Sequence, residues 1–84
     1  MRSFAVALCL TLLTGTAYAA DEIAACRARH AELSTKAATF TGEPTIKRLI
    51  QADLDRATRE MLEGDSDECA EALDHAAKLL AGDV

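Results

Sequence analysis

After residue 20, apolar side chains recur every three or four positions, which is the spacing that one face of an α-helix requires. The first seam of this kind comprises Ile23, Cys26, His30, Leu33, Ala37 and Phe40. The second comprises Ile46, Leu49, Ile50, Asp53, Leu54, Ala57 and Met61, and the third comprises Cys69, Ala72, Leu73, Ala76 and Leu80. The pattern predicts three helices, at about residues 21–40, 44–63 and 66–81.

Helix-breaking residues separate these segments. They are Gly42-Glu43-Pro44, Gly64-Asp65-Ser66 and Gly82. A glycine in the left-handed conformation ends a helix well, and proline or an N-capping Asp or Ser begins the next one. Asp65 and Glu68 also have the spacing of a capping box. Because short connections make successive helices antiparallel neighbours, we predict an all-α fold, a small up-down-up three-helix bundle.

Residues 1–19 have a different pattern, which is that of a secretory signal peptide. Arg2 provides a basic start, an apolar run covers residues 4–13, and Ala17-Tyr18-Ala19 matches a cleavage site. The apolar run is about half of the roughly 20 residues that a membrane-spanning helix needs. We therefore predict cleavage after Ala19 and a mature domain over residues 20–84. A short leader with one Arg is typical of bacterial export, so we expect the periplasm, with the extracellular medium as the alternative.

The charge of the mature domain limits its partners. Removal of Arg2 would leave eight basic residues against fourteen acidic ones, a net charge of −6. A domain this acidic repels nucleic acid and anionic lipid. Phe40 is its only aromatic residue, so stacking on bases is not expected. We expect no nucleic-acid partner and no stable membrane anchoring after cleavage.

Two cysteines remain after cleavage, Cys26 and Cys69, because Cys9 belongs to the leader. They lie in early turns of the first and third helices, which run parallel in the predicted topology. An even number of cysteines in an oxidising compartment predicts a disulfide, here between the first and third helices. Closing a loop of about 43 residues stabilises a fold by about 4 kcal/mol in the chain-entropy model. That amount matters in a domain of this size, whose core is thin.

A metal site is the alternative use of the cysteines. Cys26 and His30 are four residues apart on one helical face. His75, however, lies about 120° around its helix from Cys69, so a Cys₂His₂ set does not converge. We therefore expect no metal and no cofactor.

His30 and Asp53 are polar residues at seam positions, and they stand at similar heights on facing helices. They predict a polar core pair. One interpretation is a pH-responsive element, because a carboxylate partner and burial shift a histidine pKa in opposite directions. The simpler interpretation is a single structural contact whose polar tips reach water.

Acidic residues are predicted to collect at one end of the bundle. Carboxylates at helix starts complement the helix dipole, but Glu60 and Glu63 lie at a helix end, where this explanation fails. The alternatives are a solvated surface, a patch that binds a cationic protein, and weak cation binding through carboxylates. The candidate patch comprises Glu60, Glu63, Asp65, Asp67 and Glu68. The opposite end has four basic residues set against two acidic ones, namely Lys36, Lys47, Arg48 and Lys78 against Glu43 and Asp83.

We expect no catalytic activity, since the mature chain has no evident nucleophile–base set and no phosphate-binding glycine loop. Leu62 and Leu79 lie off the seams, where they either broaden the core or form an apolar edge for a partner. The sequence favours an exported accessory or protein-interaction module with an exported protein partner, present as a monomer or weak homodimer. The alternative is a periplasmic stress or chaperone-like protein, or one that binds cations.

Overall fold

The computed structural model describes residues 21–83, so the predicted leader and its cleavage site lie outside the described residues. Within this range the chain contains three α-helices and no strand. Helix α1 covers residues 21–38, α2 covers Pro44–Leu62 and α3 covers Ser66–Leu80. The prediction of an all-helical domain with three helices is confirmed. The helix ends predicted at residues 40, 63 and 81 were one or two residues too late.

Contacts between the helices give their directions. Three pairs of residues join α1 to α3: Glu22–Ser66, Cys26–Cys69 and Arg29–Asp74. The residue numbers rise together along these pairs, so the two helices are parallel. Two pairs join α2 to α3: Arg56–Glu68 and Asp53–His75. Here the numbers run in opposite directions, so α2 is antiparallel to α3, and the order is up-down-up.

Helices α2 and α3 end in the same way, at glycines with positive φ angles of 77° at Gly64 and 86° at Gly82. The amide of Gly64 donates to the Met61 carbonyl at 3.1 Å, and the next amide, that of Asp65, donates to the Glu60 carbonyl at 2.9 Å. This is the Schellman motif, which satisfies carbonyls left free at the helix end. The same pair of bonds forms around Gly82.

Gly42 corrects the prediction that every breaker glycine is left-handed. It is not among the glycines with positive φ in the described residues. A Cβ atom placed there would instead overlap the ring of Phe40. Glycine therefore suits this position because the connection folds closely over an aromatic side chain that packs against the core.

Half of the predicted capping box forms at the start of α3. Asp65 Oδ1 accepts a hydrogen bond from the Glu68 amide at 3.0 Å, so the N-cap is confirmed. The Glu68 carboxylate does not serve the reciprocal role. It accepts a hydrogen bond from Arg56 of α2 at 2.6 Å. A side chain predicted to act locally therefore ties two helices together.

The core is narrow and rich in small side chains. Its buried members are Cys26, Leu33, Ile50, Leu54, Ala57, Cys69, Ala72, Leu73, Ala76 and Leu79. Leu79, predicted to lie off the seam, is only 4% exposed, whereas Leu49, predicted in the seam, is 45% exposed. Alanines in the core allow the helices to approach closely, so a core of few large side chains is still continuous.

Candidate functional site

The two cysteines lie where a covalent link between α1 and α3 is feasible. Their Cα atoms are 6.4 Å apart, and the pair is placed at disulfide-bonding distance. This separation falls within the usual range for disulfides. Both side chains are buried, Cys26 at 6% exposure and Cys69 at 0%. The predicted pairing of helices 1 and 3 through these residues agrees with this geometry.

His30 bridges α1 and α2. Its Nε2 lies 3.1 Å from the Leu54 carbonyl oxygen and 3.1 Å from Thr58 Oγ1, while Nδ1 lies 3.5 Å from Ser34 Oγ. In the tautomer that carries a proton on Nε2, this N–H donates to the Leu54 carbonyl. Thr58 Oγ1 donates to the same carbonyl at 3.1 Å. The half-buried ring is therefore held by groups of both helices.

The predicted pair of His30 and Asp53 does not form. Asp53 lies instead against His75 of α3, with 2.5 Å between Asp53 Oδ2 and His75 Nδ1. The reason is angular, because each residue advances a helix by about 100°. The carbonyl of Leu54 and the side chain of Thr58 face α1. Asp53, one residue before Leu54, lies on the flank of α2 that faces α3. Similar height along the bundle is therefore not sufficient for a contact, because the flank of α2 on which Asp53 lies decides its partner.

Four carboxylates meet where α2 ends and α3 begins. We call Glu60, Glu63, Asp65 and Glu68 the acidic end. Partial burial raises the pKa of Glu60 above its ordinary value, and the neighbouring carboxylates raise it further by repulsion. Arg56 acts in the opposite direction. Asp67, the fifth predicted member, lies away from this group, beside Glu22 in a shallow depression between α1 and α3.

Two members of the acidic end already have structural roles. Asp65 caps α3, and Glu68 pairs with Arg56, whose pKa this hydrogen bond raises. Glu60 and Glu63 remain for interactions outside the fold. In residues 21–83, no three or more His, Cys, Asp or Glu side chains are arranged to hold a metal ion.

Leu62 is the most unusual side chain of this region. It is a large apolar side chain, yet it is 84% exposed. It occupies the last position of α2 and is followed directly by Glu63. The half-buried Met61 precedes it and packs against the core. The sequence suggested either core or apolar edge for Leu62 and Leu79. The structure assigns Leu79 to the core and leaves Leu62 in solvent.

Comparison with protein-family models, curated proteins and solved structures finds no match to this chain. Within the described residues, no helix is both long and apolar enough to cross a bilayer.

Proposed function

We propose that this chain is an exported protein-interaction module that binds a cationic segment of a partner protein through Leu62 and the acidic end. The observation that carries the proposal is the 84% exposure of Leu62 beside Glu63. Burying a leucine side chain in an interface contributes roughly 1.5–3 kcal/mol. An apolar side chain surrounded by charges has the arrangement of a protein-binding anchor with a polar rim.

The electrostatics of the acidic end define the partner. Partial burial is the main reason that the pKa of Glu60 is raised, and repulsion from Glu63, Asp65 and Glu68 adds to it, so these carboxylates crowd one another in the free protein. Lys or Arg side chains of a partner would relieve this repulsion on binding, which favours a cationic segment over a neutral one. The net charge of the whole chain, −5, acts in the same direction at longer range and speeds encounter with a basic partner.

The proposed export of the chain fits a module of this kind. A link between Cys26 and Cys69 would maintain the three-helix arrangement outside the cell, where thiols are oxidised. Leu62 is the last residue of α2 and Glu63 follows it as the C-cap; the link would hold this helix indirectly by fixing the two helices that pack against it. A rigid surface loses little conformational entropy when it binds, so a small area suffices for useful affinity.

A peptide titration tests the proposal. The full chain, purified as its host processes it, is titrated with a synthetic peptide of alternating Lys and Leu, and binding is followed by calorimetry. We expect Leu62→Ser to weaken binding by about tenfold or more, in line with loss of a central anchor. Leu49→Ser is the matched control, since Leu49 is also exposed, at 45%, but lies nearer the start of α2. Equal affinities of the two variants would reject the proposal.

A further inference from the structure

The two cysteines that join α1 to α3 differ in how closely solvent approaches them. Cys26 is 6% exposed and lines the shallow depression between the two helices. Cys69 is 0% exposed and does not line this depression. Exchange between a thiol and a disulfide begins when a thiolate reaches one of the two sulfurs, so access decides which sulfur is attacked. In the folded chain, a small thiol therefore approaches the link from the side of Cys26.

The depression has room for a small molecule beside Cys26. Its volume is about 260 Å³, which is below the range of about 300–1,000 Å³ for pockets that bury drug-sized ligands. Its other lining residues are Glu22 and Ala25 of α1 and Ser66, Asp67 and Ala70 of α3. The two alanines have no side chain beyond Cβ, so they leave space open next to Cys26. This size suits a thiol of a few heavy atoms.

The rim of the depression is acidic. Glu22 and Asp67 contribute two carboxylates, and none of the described residues that line the depression is basic. Ser66 Oγ donates to Glu22 Oε2 at 2.9 Å, which holds the Glu22 carboxylate where the two helices meet. Carboxylates repel an anionic thiol and attract one that carries an ammonium group. The rim therefore favours a cationic thiol.

We propose that this depression is a thiol-exchange site, at which a small cationic thiol forms a mixed disulfide with Cys26. The thiolate sulfur bonds to Cys26 Sγ while the bond between Cys26 and Cys69 breaks. The electron pair of that bond passes to Cys69 Sγ, which then takes a proton from water. A second thiolate attacks the outer sulfur of the mixed disulfide and releases Cys26, which is protonated in turn. Two small thiols are thus oxidised to one disulfide as the link is reduced.

This exchange would make the hold of α1 on α3 depend on the thiols around the protein. Reduction at Cys26 removes the covalent link between the two helices, and oxidation restores it. Leu62 and the acidic end play no part in this chemistry, so it is independent of the proposed function.

The site of attack is located on the oxidised chain with Cys9→Ala, which removes the one cysteine outside the pair. The chain is treated with cysteamine under native conditions and quenched with acid at early times, and mass spectrometry of its peptides locates the adduct. We expect about tenfold more adduct on Cys26 than on Cys69, because access limits the reaction. The same chain unfolded in urea is the control and should give similar amounts on both. Similar amounts on both cysteines of the native chain, or an excess on Cys69, would overturn the proposal.

A comparison of two thiols tests the acidic rim. Cysteamine should react with the native chain about fivefold faster than mercaptopropionate, which is anionic, once each rate is divided by that of the unfolded chain. Asp67→Asn should reduce this preference by about half, whereas Asp83→Asn, which removes the same charge at the opposite end, should leave it unchanged. Equal rates for the two thiols, or equal effects of the two variants, would reject a cationic thiol as the ligand.

Discussion

Helix α1 meets its two neighbours in very different ways. Against α3 it places the buried cysteine pair and the ion pair of Arg29 with Asp74, 2.6 Å apart. Against α2 it contributes the His30 contacts, and a groove remains open between the two helices. The α1–α3 interface is suited to a covalent link, whereas the α1–α2 interface leaves a groove open to solvent. We therefore expect the α1–α3 side to contribute more to the stability of the fold than the α1–α2 side does.

The largest effect should come from the α1–α3 side. Replacing both cysteines, Cys26→Ala with Cys69→Ala, removes the link across 43 residues of sequence. We expect the free energy of unfolding to fall by about 3–4 kcal/mol, chiefly because the unfolded chain regains entropy. Denaturation with urea, followed by circular dichroism, measures this loss. The reduced wild-type chain is the control and should lose a similar amount; a reduced chain as stable as the oxidised one contradicts the role given to the pair.

The α1–α2 side should give a smaller loss. His30→Ala removes the bond to the Leu54 carbonyl, but that oxygen keeps the Thr58 hydroxyl as a donor. We therefore expect a loss of about 1 kcal/mol, the usual contribution of one hydrogen bond. The groove residues should also become less ordered, with altered amide shifts at Thr58. A loss as large as that of the double cysteine variant would show that the two sides do not differ as described.

A glycine pair gives the next comparison. Gly64 has a φ angle of 77°, so Gly64→Ala should cost about 1 kcal/mol through backbone strain. Gly42→Ala meets only the outer end of the Phe40 ring, and a shift of the whole side chain about its Cα–Cβ bond should reduce the cost. Thermal unfolding of both variants measures the difference. A greater loss at Gly42 than at Gly64 would mean that the aromatic contact is rigid.

A double-mutant cycle tests the partner of Asp53. The Asp53 and His75 pair is partly exposed, with His75 at 58% side-chain exposure, so we expect a coupling energy of at most about 1 kcal/mol. Asp53→Ala combined with His30→Ala should be additive, since the two residues do not meet. Coupling between Asp53 and His30, without coupling between Asp53 and His75, would show that the pair predicted from the sequence is the one that forms.

The smallest effect concerns pH and Glu60. Because the folded protein raises the pKa of this carboxyl, its charged form disfavours folding, and protonation removes that penalty. Glu60→Gln should therefore have a slightly higher Tm than wild type at pH 7. The difference should close as the pH falls through the ordinary glutamate pKa of 4.5. A variant less stable than wild type at neutral pH would show that Glu60 makes a favourable contact.

The features predictable from sequence were those set by local spacing. The three- and four-residue repeat predicted the helices. Gly64 predicted a helix that ends at a glycine in the left-handed conformation, and Asp65 predicted the N-cap of the next helix. The heights of Cys26 and Cys69 on parallel helices followed from the topology. Each of these depends on neighbours in sequence or on one simple arrangement of rods.

The features that were missed depend on which flank of a helix faces which neighbour. Asp53 and Leu54 are adjacent in sequence but contact different helices, so height alone selected the wrong histidine. The bond between Arg56 and Glu68 crosses from α2 to α3, and local capping rules assigned Glu68 elsewhere. The groove exists only because α3 packs on the other side of α1 and α2, and no single helix pattern contains that information.

Charge reversal at opposite ends of the molecule tests the central claim most directly. Glu63→Lys and Glu43→Lys change the net charge equally, but only Glu63 belongs to the acidic end beside Leu62. We predict that Glu63→Lys weakens binding of the cationic peptide of alternating Lys and Leu by about tenfold or more, as loss of a close charge pair does, while Glu43→Lys stays within about twofold of wild type. Equal losses in both variants at physiological salt would mean that only overall charge attracts the peptide, and the acidic end would not be a binding site.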